Sequence, residues 1–219
     1  KNIKKSFKIK ELTQININDI LKKKAVSLSP VEIVYPEGKC QLTQREVGTH
    51  TISQANALKG ALRQDPDILV VSELRDLASI ELAVSAAETG HLVFATMNTT
   101  NAMRTISRLI DSFPLEKRDI VRAMVSESLR GVISQQLVPH KSGQGLLAAY
   151  EVLMVTAPVA NLIRKDELHQ LESAMMTGKS QGMILLDDSL QQLIDSGEIE
   201  GEEAYYRANS PKRFESYVV

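Results

Sequence analysis

The stretch from Ala61 to Thr100, ALRQDPDILVVSELRDLASIELAVSAAETGHLVFATMNTT, leaves few folds open to this chain. Asp65-Pro66-Asp67 is a turn, and Ile68 to Val71 is a short apolar run rich in β-branched side chains, the pattern of a strand buried on both faces. Asp76 is placed to cap a helix in which Leu77, Ile80, Val84 and Ala87 recur at helical spacing, and Thr89-Gly90 stops it. Leu92 to Ala95 is a second apolar run. Strand, helix and strand in this order make a βαβ unit with parallel strands, so the expected class is α/β.

Open α/β sheets bind ligands at the carboxyl ends of their strands. The first strand here ends in Ser72-Glu73-Leu74-Arg75-Asp76, which delivers a carboxylate and two further charges to that edge. Glu73 is therefore the candidate centre of a site. His91 opens the second strand, where it is either a site residue or a partly buried, hydrogen-bonded histidine.

The remaining sequence adds bounds. At 219 residues, 43% hydrophobic and 24% charged, the chain can bury a substantial core and lacks a disordered composition. Its single cysteine, Cys40, excludes an intramolecular disulfide and fits a reducing compartment, with the cytoplasm as the default. No run approaches the ~20 apolar residues that span a bilayer. The net charge of −1 argues against a general nucleic-acid partner, although Lys1 to Lys24 holds eight lysines against two acids. That end is read as a solvated basic segment or as an arm for anionic lipid or a partner subunit.

Three regions are expected: a basic N-terminal segment over 1–25, an α/β core over 26–155, and a helical subdomain over 156–219. Ala25 to Tyr35 reads as a strand interrupted by Pro30. Gln41 to Thr51 reads as a loop or hairpin, and Thr51 or Ser53 caps a helix carrying Ile52, Ala55, Leu58 and Leu62. A long helix is expected from Pro114 through Ile120, Met124, Leu129, Val132 and Ile133. Leu146 to Val155 is strand-like, and the remainder forms short amphipathic helices. The acid pairs Asp187-Asp188 and Glu202-Glu203 read as helix-surface residues.

Several multi-residue motifs occur together and in order: the DPD turn, the acidic strand end SELRD, AAETGH, and a second strand end at Met97-Asn98-Thr99-Thr100. With Gln44-Arg45-Glu46-Val47, Ser126 to Leu129, Asn161 to Arg164 and Ala208-Asn209-Ser210-Pro211, this run resembles the secretion ATPases that drive type IV pili, especially the PilT-like and PilU-like retraction branch. The resemblance extends from about Pro30 to the C-terminus. It implies a RecA-like sheet with flanking helices and a C-terminal helical bundle, ATP and magnesium as cofactors, and a ring of retraction-type ATPase subunits. It also implies a pilus inner-membrane platform protein as partner, and hence a cytoplasmic location peripheral to the inner membrane.

Carried over residue by residue, the resemblance gives Glu73 and Glu32 catalytic positions, with Glu73 also the metal position. It makes Arg45, Arg75, His91 and Asn98 nucleotide- or interface-contacting. Arg45 would face phosphate or a neighbouring subunit, or pair with Glu46. The family's acidic box has the form IEDPIE; aligned on Pro30, Leu28 and Ser29 replace its first Glu and Asp. Asn98 replaces a histidine and cannot titrate near neutral pH. A P-loop, GxxxxGK[ST], is not found in the 219 residues. The one Gly-Lys-Ser, Gly178-Lys179-Ser180, has Ser173 where the first glycine belongs and follows a helical segment, so it is read as a decoy. The expectation is a catalytically degenerate homologue of the retraction motor acting through subunit contacts. The alternative is an active motor subunit whose P-loop lies outside these residues.

Overall fold

The computed structural model describes residues 24–28 and 40–218. The chain divides after Asn98 into two compact units. The expected basic segment over 1–25, apart from Lys24 and Ala25, and Glu32 lie outside the described residues.

The first unit holds strands β1 (Lys24–Leu28), β2 (Gln41–Arg45), β3 (Ile68–Val71) and β4 (Leu92–Ala95) with helices α1 (Gln54–Leu62) and α2 (Leu77–Glu88). The strands form one parallel sheet in the order β2-β1-β3-β4. This is the parallel sheet flanked by helices that the βαβ stretch predicts. Ile68, Leu69 and Val71 are buried, as are Leu28 on β1, Leu58 on α1 and Ile80 on α2, so the sheet and both helices share apolar surface. The turn before β3 places Asp65 in the left-handed region at φ 53°. There the Asp67 carboxylate accepts the Lys24 amide at 2.8 Å while the Asp67 N–H donates to Lys24 O at 2.9 Å, fixing the β1–β3 register.

Helix ends follow the sequence closely. The Ser53 hydroxyl accepts the Asn56 N–H at 3.1 Å. Asp76 accepts the Ser79 N–H at 2.9 Å and the Ser79 hydroxyl at 2.8 Å, closing the first turn of α2. Gly90, at φ 97°, supplies the left-handed residue after that helix. Residues 41–45, expected in a loop or hairpin, instead form β2, paired in parallel with β1. Its alternating Gln41, Thr43 and Arg45 hide the strand signal, because a strand at the margin of the described sheet can keep polar side chains half exposed.

The second unit opens with α3 (Ala102–Asp111) and α4 (Leu115–Ser128). It continues with an antiparallel hairpin, β5 (Gly131–Pro139) and β6 (Leu146–Met154), paired over nine residues. Helices α5 (Ala157–Arg164), α6 (Leu171–Thr177), α7 (Leu186–Asp195) and α8 (Gly201–Arg207) follow, with a closing 3-10 segment, Pro211–Tyr217. The helix expected to run through Ile133 ends at Ser128. Leu129 turns extended, and Val132 and Ile133 enter β5, where burial alternates residue by residue.

The C-terminal helices pack on this hairpin. Val138 and Ala149 from the strands share a core with Leu186, Leu190, Ile199, Ala204 and Phe214. The hairpin therefore belongs with the helices after it, which places the division of the described chain at Asn98, while the sequence alone grouped 26–155 together. Gly201 opens α8 beneath the Tyr217 ring; a Cβ at that position would lie 2.3 Å from the ring, so only glycine admits the closing segment here.

Candidate functional site

In the sheet order β2-β1-β3-β4, the chain leaves β1 toward one side and β3 toward the other. The strand order reverses between them, and the crevice outside the carboxyl ends of β1 and β3 is where such sheets take ligands. Leu28, Arg45, Val71 and Ala95 stand in register across that edge.

Glu73 lies two residues past β3, and its backbone is fixed from both sides. The Ser72 N–H donates to Leu28 O at 3.1 Å, and the Leu74 N–H donates to Thr96 O at 2.9 Å. The Thr96 hydroxyl donates to Ser72 O, tying the two strand ends together. Arg75 reaches back to Glu73 Oε2 through Nε at 2.7 Å and Nη2 at 2.6 Å. Glu73 is half buried and Arg75 exposed, and hydrogen bonding to Glu73 raises the Arg75 pKa above its ordinary value. The pair thus puts a carboxylate, already engaged by a guanidinium, beside the switch point.

Two other expected residues share this edge. Arg45 ends β2, and its guanidinium lies against α1, 2.8 Å from where a Cβ on Gly60 would sit. Asn98 follows β4 and is exposed. Glu46, offered as a possible partner of Arg45, accepts the Thr49 hydroxyl at 3.3 Å. Leu28, which aligns with a carboxylate in the resembling motor family, is 1% exposed and packed in the core.

His91 sits at the opposite, amino end of β4. Its Nδ1 lies 3.0 Å from Ala86 O and 3.1 Å from the Thr89 hydroxyl, so the ring finishes α2. It also borders a cleft of about 380 Å³ with Asp65, Asp67 and Thr89. The structure thus brings Glu73, Arg75, Arg45 and Asn98 to one sheet edge and His91 to the other.

Among the described residues, no three His, Cys, Asp or Glu side chains gather as a metal-binding group. Gly178 closes α6, and Lys179 Nζ lies 2.5 Å from Asp188 Oδ2, so the Gly-Lys-Ser there serves a surface ion pair.

A second polar cluster lies within the second unit, and sequence reasoning missed it. Glu151, 3% exposed on β6, accepts the Ala102 N–H at 2.7 Å and the Asn209 side-chain amide at 2.8 Å. Burial pushes its pKa up, and these hydrogen bonds oppose the shift. Asp187, expected on a helix surface, is 5% exposed, because its carboxylate accepts the backbone N–H groups of Asn209 and Ser210 at 2.8 and 3.0 Å. Its neighbour Asp188 remains at the surface between Lys179 and Arg213, whose hydrogen bonds and charges lower its pKa. The signal for Glu151 was an acid at an inward position of an alternating strand, between Ala149 and Leu153.

Residues 22–214 match the model of the family described as type II/IV secretion system protein. The chain is 49% identical over 185 residues to the type IV pilus retraction ATPase PilT of Pseudomonas aeruginosa, a match that covers 84% of this chain and 54% of that protein. It is 46% identical over 181 residues to a twitching motility protein of Neisseria gonorrhoeae, covering 83% of this chain and 48% of that one. The crystal structure of the pilus retraction motor PilT with bound ADP superposes with a TM-score of 0.84 at 40% identity, over 95% of this chain and 59% of that chain. The chain spans about half the length of the curated relatives it matches.

Proposed function

The chain belongs to the type II/IV secretion system protein family, and on that premise we propose that it serves a type IV pilus retraction motor as a ring subunit that lacks complete hydrolytic machinery of its own. The retraction assignment rests on 49% and 46% identity to a retraction ATPase and a twitching motility protein. In this reading it works in the cytoplasm, beneath the inner-membrane platform of the pilus and among other retraction-type ATPase subunits. Among the described residues, no helix is long and apolar enough to cross a membrane. In this reading membrane contact runs through partners.

Leu28 carries the reading of degeneracy. The resemblance puts a water-activating carboxylate at this position, and a core leucine offers no base. Asn98, where the family has histidine, offers no titrating ring. Glu73 would be the ligand for magnesium if nucleotide binds at this edge, with Arg75 to be displaced toward phosphate. Phosphoryl transfer depends on positioning and charge stabilisation by a phosphate cradle. The described residues supply none, so no hydrolytic step is assigned to them.

The 49% identity and the half-length coverage favour a second reading, an active motor subunit whose phosphate-binding residues lie outside these 219. The encoding sequence upstream of Val26 separates the two, a GxxxxGK[ST] there favouring the second reading, and binding of a fluorescent ATP analogue with magnesium, with Glu73→Ala as control, tests the site itself. The first reading expects no binding up to millimolar nucleotide by folded protein. It also expects that mixing with an active retraction motor changes ring composition or ATPase rate. Micromolar binding that depends on Glu73 overturns degeneracy of the site, and an unchanged motor overturns the subunit role.

A further inference from the structure

The hydrogen bonds around Glu151 run in one direction. Asn101 Nδ2 donates to Asn209 Oδ1 at 3.1 Å, Asn209 Nδ2 donates to Glu151 Oε2 at 2.8 Å, and the Ala102 N–H donates to Glu151 Oε1 at 2.7 Å. The other end of the chain of bonds is equally committed, because Asn101 Oδ1 caps α3 by accepting the Arg104 N–H at 2.8 Å. An ionised carboxylate accepts at both oxygens and donates nothing, so it can terminate two donors at once. A glutamine there presents its own N–H₂ to one of them. Flipping the Asn209 amide in response turns a donor against the Asn101 donor, and flipping Asn101 in turn loses the cap.

The same Asn209 belongs to a segment held at several other points. Its N–H and that of Ser210 are taken by Asp187, Arg213 Nη1 lies 2.7 Å from Asp188 Oδ1, and Phe214 is fully buried in the shared core. None of these three contacts touches α3.

We propose that Glu151 is a coupling residue: through Asn209 and Asn101 it makes the first turn of α3 and the closing segment, Asn209 to Tyr217, open and close as one unit. Docking of the closing segment presents the Asn209 amide, which in turn holds the Asn101 cap and leaves Glu151 with both oxygens satisfied. Displacement of that segment by a partner would then loosen the start of α3, the helix that follows the strand end at Asn98. The inference is independent of nucleotide binding.

The test is amide hydrogen exchange on the full chain, read separately over 101–105 and 209–217, for the unaltered protein, Arg213→Ala, Glu151→Gln and the double variant. Arg213 is exposed, ties the segment to Asp188 on α7 and lies 5.7 Å from the Phe214 ring centroid, so its variant loosens the segment without opening the core and is expected to fold. Coupling predicts that Arg213→Ala speeds exchange in both stretches, by about tenfold or less, the worth of one hydrogen bond. It further predicts that in the Glu151→Gln background Arg213→Ala alters 209–217 alone. Should Glu151→Gln fail to fold, Asn209→Ala takes its place with the same expectation. Exchange that quickens over 209–217 while 101–105 keeps its rate in Arg213→Ala overturns the proposal, as does strict additivity in the double variant.

Discussion

Glu73 in the first unit and Glu151 in the second are surrounded in opposite ways. Glu73 stands at a sheet edge, half exposed, with one exposed arginine folded back on it. Glu151 is buried, has no cation beside it among the described residues, and is satisfied by neutral N–H donors. Surface ion pairs add little to stability, because water and salt screen them and two long side chains must be ordered. A buried carboxylate costs several kcal/mol to desolvate and persists only where hydrogen bonds replace the lost water. The first acid is thus cheap to hold and easy to redirect. The second is expensive and committed, as an architectural role requires.

Breaking the second region should cost most. Phe214→Ala removes a fully buried ring from the core shared by β5, β6, α7 and α8, and it is expected to lower unfolding free energy by about 3–5 kcal/mol in a urea titration. A loss below about 1 kcal/mol would mean that the closing segment adds little to that core.

The acids of the second unit sharpen the contrast through pH. Burial raises the Glu151 pKa, so the native state takes up this proton more readily than the unfolded chain. Its contribution is largest below the ordinary carboxylate range and declines as pH rises through the raised native value. Asp188, lowered by Lys179 and Arg213, has the opposite sign: its contribution is present above the ordinary carboxylate value and lost as pH falls through the native one. Urea stability measured from pH 3 to 8 should lose its decline toward neutral pH in Glu151→Gln and flatten on the acid side in Asp188→Asn. Identical slopes in all three proteins would remove the distinction between the two acids.

The smallest effect on stability belongs to the first region. Arg75→Ala should leave the melting temperature unchanged, while freeing Glu73 for a cation. A clear drop in melting temperature would show that the edge pair is architectural after all.

Much of the first unit was legible in the sequence because several local signals agree there. The run Ile68 to Val71, the Asp76 cap and the Gly90 stop each fix one boundary of the βαβ stretch. The polar strand β2 was not legible, since Gln41, Thr43 and Arg45 carry no apolar period and only pairing with β1 reveals them. Val132 and Ile133 fit a continued helix as well as a new strand, and the ladder with β6 decides between them. Glu73 was visible because strand ends expose what they carry. Asp187 and Glu151 were not, because burial of an acid depends on donors distant in sequence, from Ala102 and Asn209.

The nine-residue pairing of β5 with β6 also bears on how the molecule forms. Its strands are joined by a short loop, so its contacts are near in sequence and close with little chain entropy lost. The parallel sheet has no such shortcut, since β3 reaches β1 only across the intervening β2 and α1, and β4 reaches β3 only after α2. Refolding from denaturant should therefore protect the amides of 131–154 before those of 68–71 and 92–95, with the hairpin as the template on which the later helices condense.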